Sequence, residues 1–190
     1  LELEHDNALA QRGMARVALS RLDYGEAERQ ITMSVSGEDQ NLETWLLKGR
    51  IDILTSNFKS ALASYRAAQT ISSKSPSVLI GLVRAHLGLD ELDAANEILA
   101  ALHKSNPNHP IINYFRGISA QRTNNHEAAL AAFREVLRVS PNHLQSLLML
   151  GALYQSKQEY RHAEEFLVRF IRSEPEHLGA LRLLGAVHLR

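Results

Sequence analysis

The chain has 190 residues, of which 45% are hydrophobic but only 6% aromatic, and 21 basic residues balance 21 acidic ones. A formal net charge of zero argues against a nucleic-acid partner, which selects a basic excess, and the absence of cysteine excludes disulfides, thiolate metal sites and cysteine nucleophiles. No apolar run approaches 18 residues, so no stretch reads as a membrane span.

From the N-terminus, Leu1–Asn7 reads as the end of a helix and a turn, like Leu137–His143. Five 34-residue units follow, at 8–41, 42–75, 76–109, 110–143 and 144–177, and a partial unit occupies 178–190. Unit 8–41 is the most irregular, with Gln11 and Ser34 in apolar places and Gly37 and Asp39 where a helix should close. Unit 110–143 places Asn113 and Arg116 inward, with Ile112, Tyr114 and Phe115 beside them, which predicts a shift in the inward face. In unit 144–177, Leu147, Leu150, Gly151 and Tyr154 share one helix face by their spacing of three and four. Gln155–Glu159 is a polar break; Tyr160, Ala163, Leu167 and Phe170 then make a second face, which Pro175 ends. Ala180–Arg190 is a first helix with no second helix after it, leaving Leu181, Leu184, Gly185 and Val187 uncovered. The chain therefore reads as a fragment of a longer array, and self-association through residues 178–190 is expected. A signal peptide, lipid anchor or catalytic domain can lie outside it.

The period is carried by single columns. Ala27, Ala61, Ala95, Ala129 and Ala163 are 34 residues apart. Gly49, Gly117, Gly151 and Gly185 keep the same step, as do Pro107, Pro141 and Pro175. Ile31, Tyr65, Leu99, Phe133 and Leu167 form a fourth column. Self-similarity at this period marks a stacked helix-turn-helix array. The turns Ser72–Ser77 and Lys104–Pro110 are too short and polar to be domain linkers, so 1–190 reads as one array.

Leu147, Leu150, Gly151, Tyr154, Ala163, Leu167 and Pro175 fill the motif places of the tetratricopeptide repeat family, and Trp45, Gly49, Ala61, Tyr65 and Ala68 do so in another unit. The chain resembles that family along essentially its whole length. The resemblance implies an all-α, right-handed superhelical solenoid whose first helices line a concave groove, with the second, fifth, ninth, twelfth and thirteenth places of each unit facing it. The fifth places are Arg12, Leu46, Ile80, Tyr114, Leu148 and Arg182. The ninth are Arg16, Arg50, Arg84, Ile118, Ala152 and Ala186, and the twelfth are Leu19, Ile53, Leu87, Gln121, Gln155 and Leu189. An apolar stripe of Leu46, Ile80, Tyr114 and Leu148 beside an arginine column of Arg16, Arg50 and Arg84 implies recognition of a protein or peptide segment with acidic character. Local acids such as Glu43 or Asp52 could instead neutralise the arginines. The lysine and asparagine clamp by which some members hold chaperone tails is absent, with Arg12 and Arg16 at its first places and Leu47 for asparagine.

No catalytic motif is present: there is no glycine-rich phosphate loop, no GxSxG and no HExxH, since His126-Glu127 is followed by Ala128-Ala129-Leu130. Nor is a metal site or cofactor implied. His109, His143 and His177 close their units and read as polar residues at helix starts, and His86 and His188 as partly buried residues with one hydrogen bond. The expected function is a non-enzymatic protein–protein interaction scaffold. The alternatives are a structural or self-associating segment of a larger assembly, such as a bacterial envelope or secretion machine, and the regulatory array of an enzyme whose catalytic domain lies elsewhere.

Overall fold

A computed structural model describes residues 2–35 and 41–189; the closing positions Gly37 and Asp39 lie outside the described residues. Among these, eleven helices and no strand are found. They are α1 (Glu2–Ser20), α2 (Tyr24–Val35), α3 (Leu42–Leu54), α4 (Phe58–Ile71), α5 (Pro76–Gly88) and α6 (Leu92–Ser105), then α7 (Pro110–Arg122), α8 (His126–Val139), α9 (Leu144–Ser156), α10 (Tyr160–Ser173) and α11 (Leu178–His188). The fold is an all-α repeat solenoid. It divides within α6 into two compact units, one ending at Ile98 and the other beginning at Leu99.

The helix starts follow local chemistry. Pro76 and Pro110 open α5 and α7, where a missing N–H costs nothing. The Asn41 side chain accepts from the Glu43 N–H at 2.8 Å, and that of Asn125 from the Ala128 N–H at 3.1 Å. Each turn inside a repeat has one residue in the left-handed region: Leu22, Ser56, Asp90, Asn124 and Gln158, at φ between 56° and 62° and again 34 residues apart. The next N–H reaches back to close the helix, as in Asn57 N–H to Asp52 C=O at 2.7 Å and Asn125 N–H to Ala120 C=O at 2.8 Å. This is the closing bond of a Schellman turn, made here without glycine.

Packing within each unit rests on the columns. All five alanines are fully buried. In the first unit, Ala61, Tyr65, Ala68, Val78 and Leu82 form one cluster, and Ala15, Ala27, Ile31, Leu47 and Ile51 another. In the second, Ala129, Phe133, Leu150, Tyr154, Ala163, Leu167 and Val187 pack together. Glycine marks the closest approaches: a Cβ at Gly117 would lie 2.6 Å from Phe133 Cε1, and one at Gly151 2.6 Å from Leu167 Cγ.

Four expectations are corrected. α1 runs unbroken from Glu2, through the turn expected at residues 5–7. His5 stands where the three proline turns carry Pro107, Pro141 and Pro175, so nothing forces the helix to stop. Val187 is 5% exposed, covered by the chain's own core, whereas Leu181 is 40% exposed. His188 is not buried; it is exposed beside Glu164, with Nε2 2.9 Å from Oε1. In α7 the inward face is not exchanged but widened, since Ile112 and Asn113 are both buried.

Candidate functional site

In the first unit, the three arginines meet different surroundings. Arg16, on α1, donates to Glu43 at 3.0 Å, and Arg12 lies 3.8 Å from the same carboxylate. Arg50 on α3 is exposed and Arg84 on α5 half-buried, and neither makes an ion pair among the described residues. Asp52 does not neutralise them. It is 1% exposed, and its carboxylate accepts from Lys48 Nζ at 3.0 Å and from the Ser60 and Ser64 hydroxyls at 2.9 Å. Arg50 and Arg84 both act electrostatically on Tyr65 of α4. Burial raises the Tyr65 phenol above its usual pKa; Arg84 draws it down, Asp52 pushes it up, and Arg50 draws it down.

The apolar stripe is half-buried rather than freely exposed. Leu46 packs against the cluster of α4 and α5, and Ile80 is also half-buried. In the second unit, Tyr114 packs against Phe133 and His143, with ring centroids 5.9 and 5.2 Å apart. Leu148 lines a cleft of about 520 Å³ between α9 and α11, together with Met149, Ala152, Gln155, His177, Gly179, Arg182, Leu183 and Ala186. Five of these nine stand at the fifth, ninth and twelfth places of their repeats: Leu148, Ala152, Gln155, Arg182 and Ala186. The lining is mainly aliphatic. Arg182 is its one full cation and makes no ion pair among the described residues. Gly179 stands at a second place, whereas Met149, His177 and Leu183 are lining residues that the repeat register does not single out.

Three histidines stand at N-cap positions, two of them with a side-chain cap bond. His109, His143 and His177 precede α7, α9 and α11, and Nδ1 of His143 and His177 accepts from the Ser146 and Ala180 N–H groups at 3.2 and 3.0 Å. His86 is 7% exposed, with Nδ1 2.6 Å from Glu91 Oε2. Among the described residues no group of three His, Asp or Glu side chains could hold a metal ion, and no helix is long and apolar enough to cross a membrane.

No curated protein sequence matches the chain. Solved structures share its fold at low identity. TTC0263, a thermophilic TPR protein of Thermus thermophilus, aligns with a TM-score of 0.79 at 14% identity, over 96% of this chain and 100% of that one. The Cut9 and Hcn1 hetero-tetramer of the APC/C aligns with a TM-score of 0.85 at 17% identity, over 96% of this chain and 36% of the matched one. YrrB, described as a TPR protein with an unusual peptide-binding site, aligns with a TM-score of 0.61 at 18% identity, over 92% of this chain and 90% of that one. The family model described as protein kinase G tetratricopeptide repeat matches residues 16–181. Helix pairs at a 34-residue step, the buried alanine column and this match together establish that the chain belongs to the tetratricopeptide repeat family.

Proposed function

We propose that the chain is a non-catalytic protein-interaction scaffold that holds a segment of a partner protein on the first helices of its repeats. The observation that carries this reading is the apolar cleft between α9 and α11, built from residues at groove places of successive repeats. Its size and aliphatic lining suit one or two apolar side chains of a bound segment, and Arg182 suits a neighbouring carboxylate. In the first unit, Arg50 and Arg84 favour an acidic segment, since neither is neutralised from within. The peptide-binding site attributed to YrrB, which has the same fold, is in keeping with this reading.

A selection of displayed random peptides against the intact chain tests it. Enriched peptides should combine acidic and apolar residues, and Leu148→Glu or Ala152→Arg should weaken those that occupy the cleft at least about tenfold. Enriched peptides that bind both variants as they bind the wild type would place recognition elsewhere.

A second reading rests on the 75% and 40% exposure of Leu178 and Leu181 on α11. Such side chains suit contact with a second copy of the chain. Sedimentation across a concentration series separates the two readings: a strict monomer at high concentration removes self-association and leaves the scaffold reading intact.

A further inference from the structure

Tyr65 raises a question that its packing does not answer. Its column is otherwise Ile31, Leu99, Phe133 and Leu167, so the core of the repeat needs an apolar group there and no hydroxyl. Tyr65 is 4% exposed and its hydroxyl makes no hydrogen bond among the described residues, yet that oxygen is not sealed from solvent, since Gln30 Oε1 is the buried side-chain atom left without a partner among them. A buried ring whose hydroxyl reaches solvent can donate to water or to a ligand. The ring is wedged between two first helices: a Cβ on Gly49 of α3 would lie 2.7 Å from Tyr65 Cζ, and one on Gly81 of α5 would overlap the ring. Glycine at both places lets the phenol end reach between α3 and α5. Arg50 follows Gly49 directly, and Arg84 lies one turn after Gly81. Neither guanidinium has an ion pair among the described residues, and the one nearby carboxylate, Asp52, is committed to Lys48, Ser60 and Ser64.

We infer that Tyr65, Arg50 and Arg84 form an oxyanion-binding site that takes the carboxylate or phosphoryl oxygens of a ligand between α3 and α5. The inference rests on the scaffold reading, and names the group in the partner segment that the first unit would recognise. An oxyanion needs short donors converging from several directions. Two guanidinium forks supply charge and paired N–H groups, and the phenol supplies an O–H from below. The same ligand would replace water at the hydroxyl and neutralise the two cations. No other unit offers the set: the fourth and fifth repeats carry Ile118 and Ala152 in place of arginine, and Phe133 and Leu167 in place of tyrosine.

The test follows the Arg Nε–Hε resonances of the intact chain by NMR during titration with sodium acetate or, separately, inorganic phosphate, at ionic strength held constant with chloride. The expected result is saturable shifts at Arg50 and Arg84 with at least one of the two anions. Saturation by acetate alone identifies a carboxylate site, and saturation by phosphate identifies a phosphoryl one. Tyr65→Phe should weaken that binding about tenfold, the worth of one hydrogen bond to a charged group, while the thermal midpoint stays within a degree or two of the wild type. Arg84→Gln should abolish it. Shifts that never saturate with either anion, or a Tyr65→Phe variant with wild-type affinity, would overturn the inference. Peptides that still bind when neither anion does would sink this site alone and leave the scaffold reading standing.

Discussion

Arg16 Nη2 lies 3.0 Å from Glu43 Oε2, whereas Arg50 and Arg84, one and two repeats further on, make no ion pair among the described residues. Three arginines in one sequence column are therefore not equivalent. Arg16→Gln should leave acidic-peptide binding unchanged and cost at most about 1 kcal/mol of stability, as befits an exposed pair. Arg84→Gln should weaken binding several-fold, and more so at low salt. Fluorescence anisotropy of an acidic peptide from the selection, run at two salt concentrations, compares the variants.

The alanine column sets the helix spacing. Ala129 is fully buried in the cluster of Phe133, Tyr154 and Ala163. Ala129→Leu should cost about 1–3 kcal/mol by overpacking. Gly117→Leu should cost at least as much, since even its Cβ would overlap the Phe133 ring. Chemical denaturation reads both; unchanged midpoints would mean that these helices are not in close contact.

Leu22 holds a left-handed conformation at φ 59° and is 70% exposed, so its side chain offers little packing in return. A non-glycine residue in that region is strained by about 1–2 kcal/mol. Leu22→Gly should therefore stabilise the chain by up to about 1 kcal/mol, glycine's greater freedom in the unfolded chain offsetting part of the relief. A lowered thermal midpoint for this variant would contradict the turn geometry.

Stability should fall in mild acid. Burial holds His143 below the usual imidazole pKa, outweighing a backbone hydrogen bond that favours the charged form. Burial, then the Arg116 guanidinium, lowers His103 in the same direction. The unfolded chain binds protons more readily at both positions. Their contribution is complete above the unfolded value of about 6.5 and is lost as the pH falls from there through the lowered folded values. Protonation of His143 Nδ1 also removes the acceptor for the Ser146 N–H. Urea midpoints at pH 7.5 and pH 5 should differ, and His143→Ser, which keeps a neutral cap, should narrow the difference.

The fold was largely legible because the period repeats simple causes. Alanine at every close contact, proline at three turns and alternating helix faces all point to the same array. The sequence was less informative where a long-range partner decides. Ser34 and Asn113 look misplaced in apolar positions. Both are buried because they donate to distant carbonyls, Ser34 Oγ to Ala8 at 2.9 Å and Asn113 Nδ2 to Pro107 at 2.8 Å. The candidate groove residues were legible as register positions, but not their different surroundings. Only side-chain geometry distinguishes a neutralised Arg16 from an unpaired Arg84, or gives Tyr65 a role beyond packing. The paired glycines at 49 and 81 were the available signal, and Gly81 falls outside the glycine column.

The central claim is that the first helices hold partner segments, by charge in the first unit and by apolar contact in the second. Calorimetric titration of two selected peptides, one acidic and one apolar, into three proteins tests it most directly: the wild type, Arg50→Glu combined with Arg84→Glu, and Leu148→Glu. The expected result is no detectable binding of the acidic peptide to the double variant, and at least about tenfold weaker binding of the apolar peptide to Leu148→Glu, with circular dichroism unchanged in both. Wild-type affinity in the double variant at low salt, with its helices intact, would contradict it.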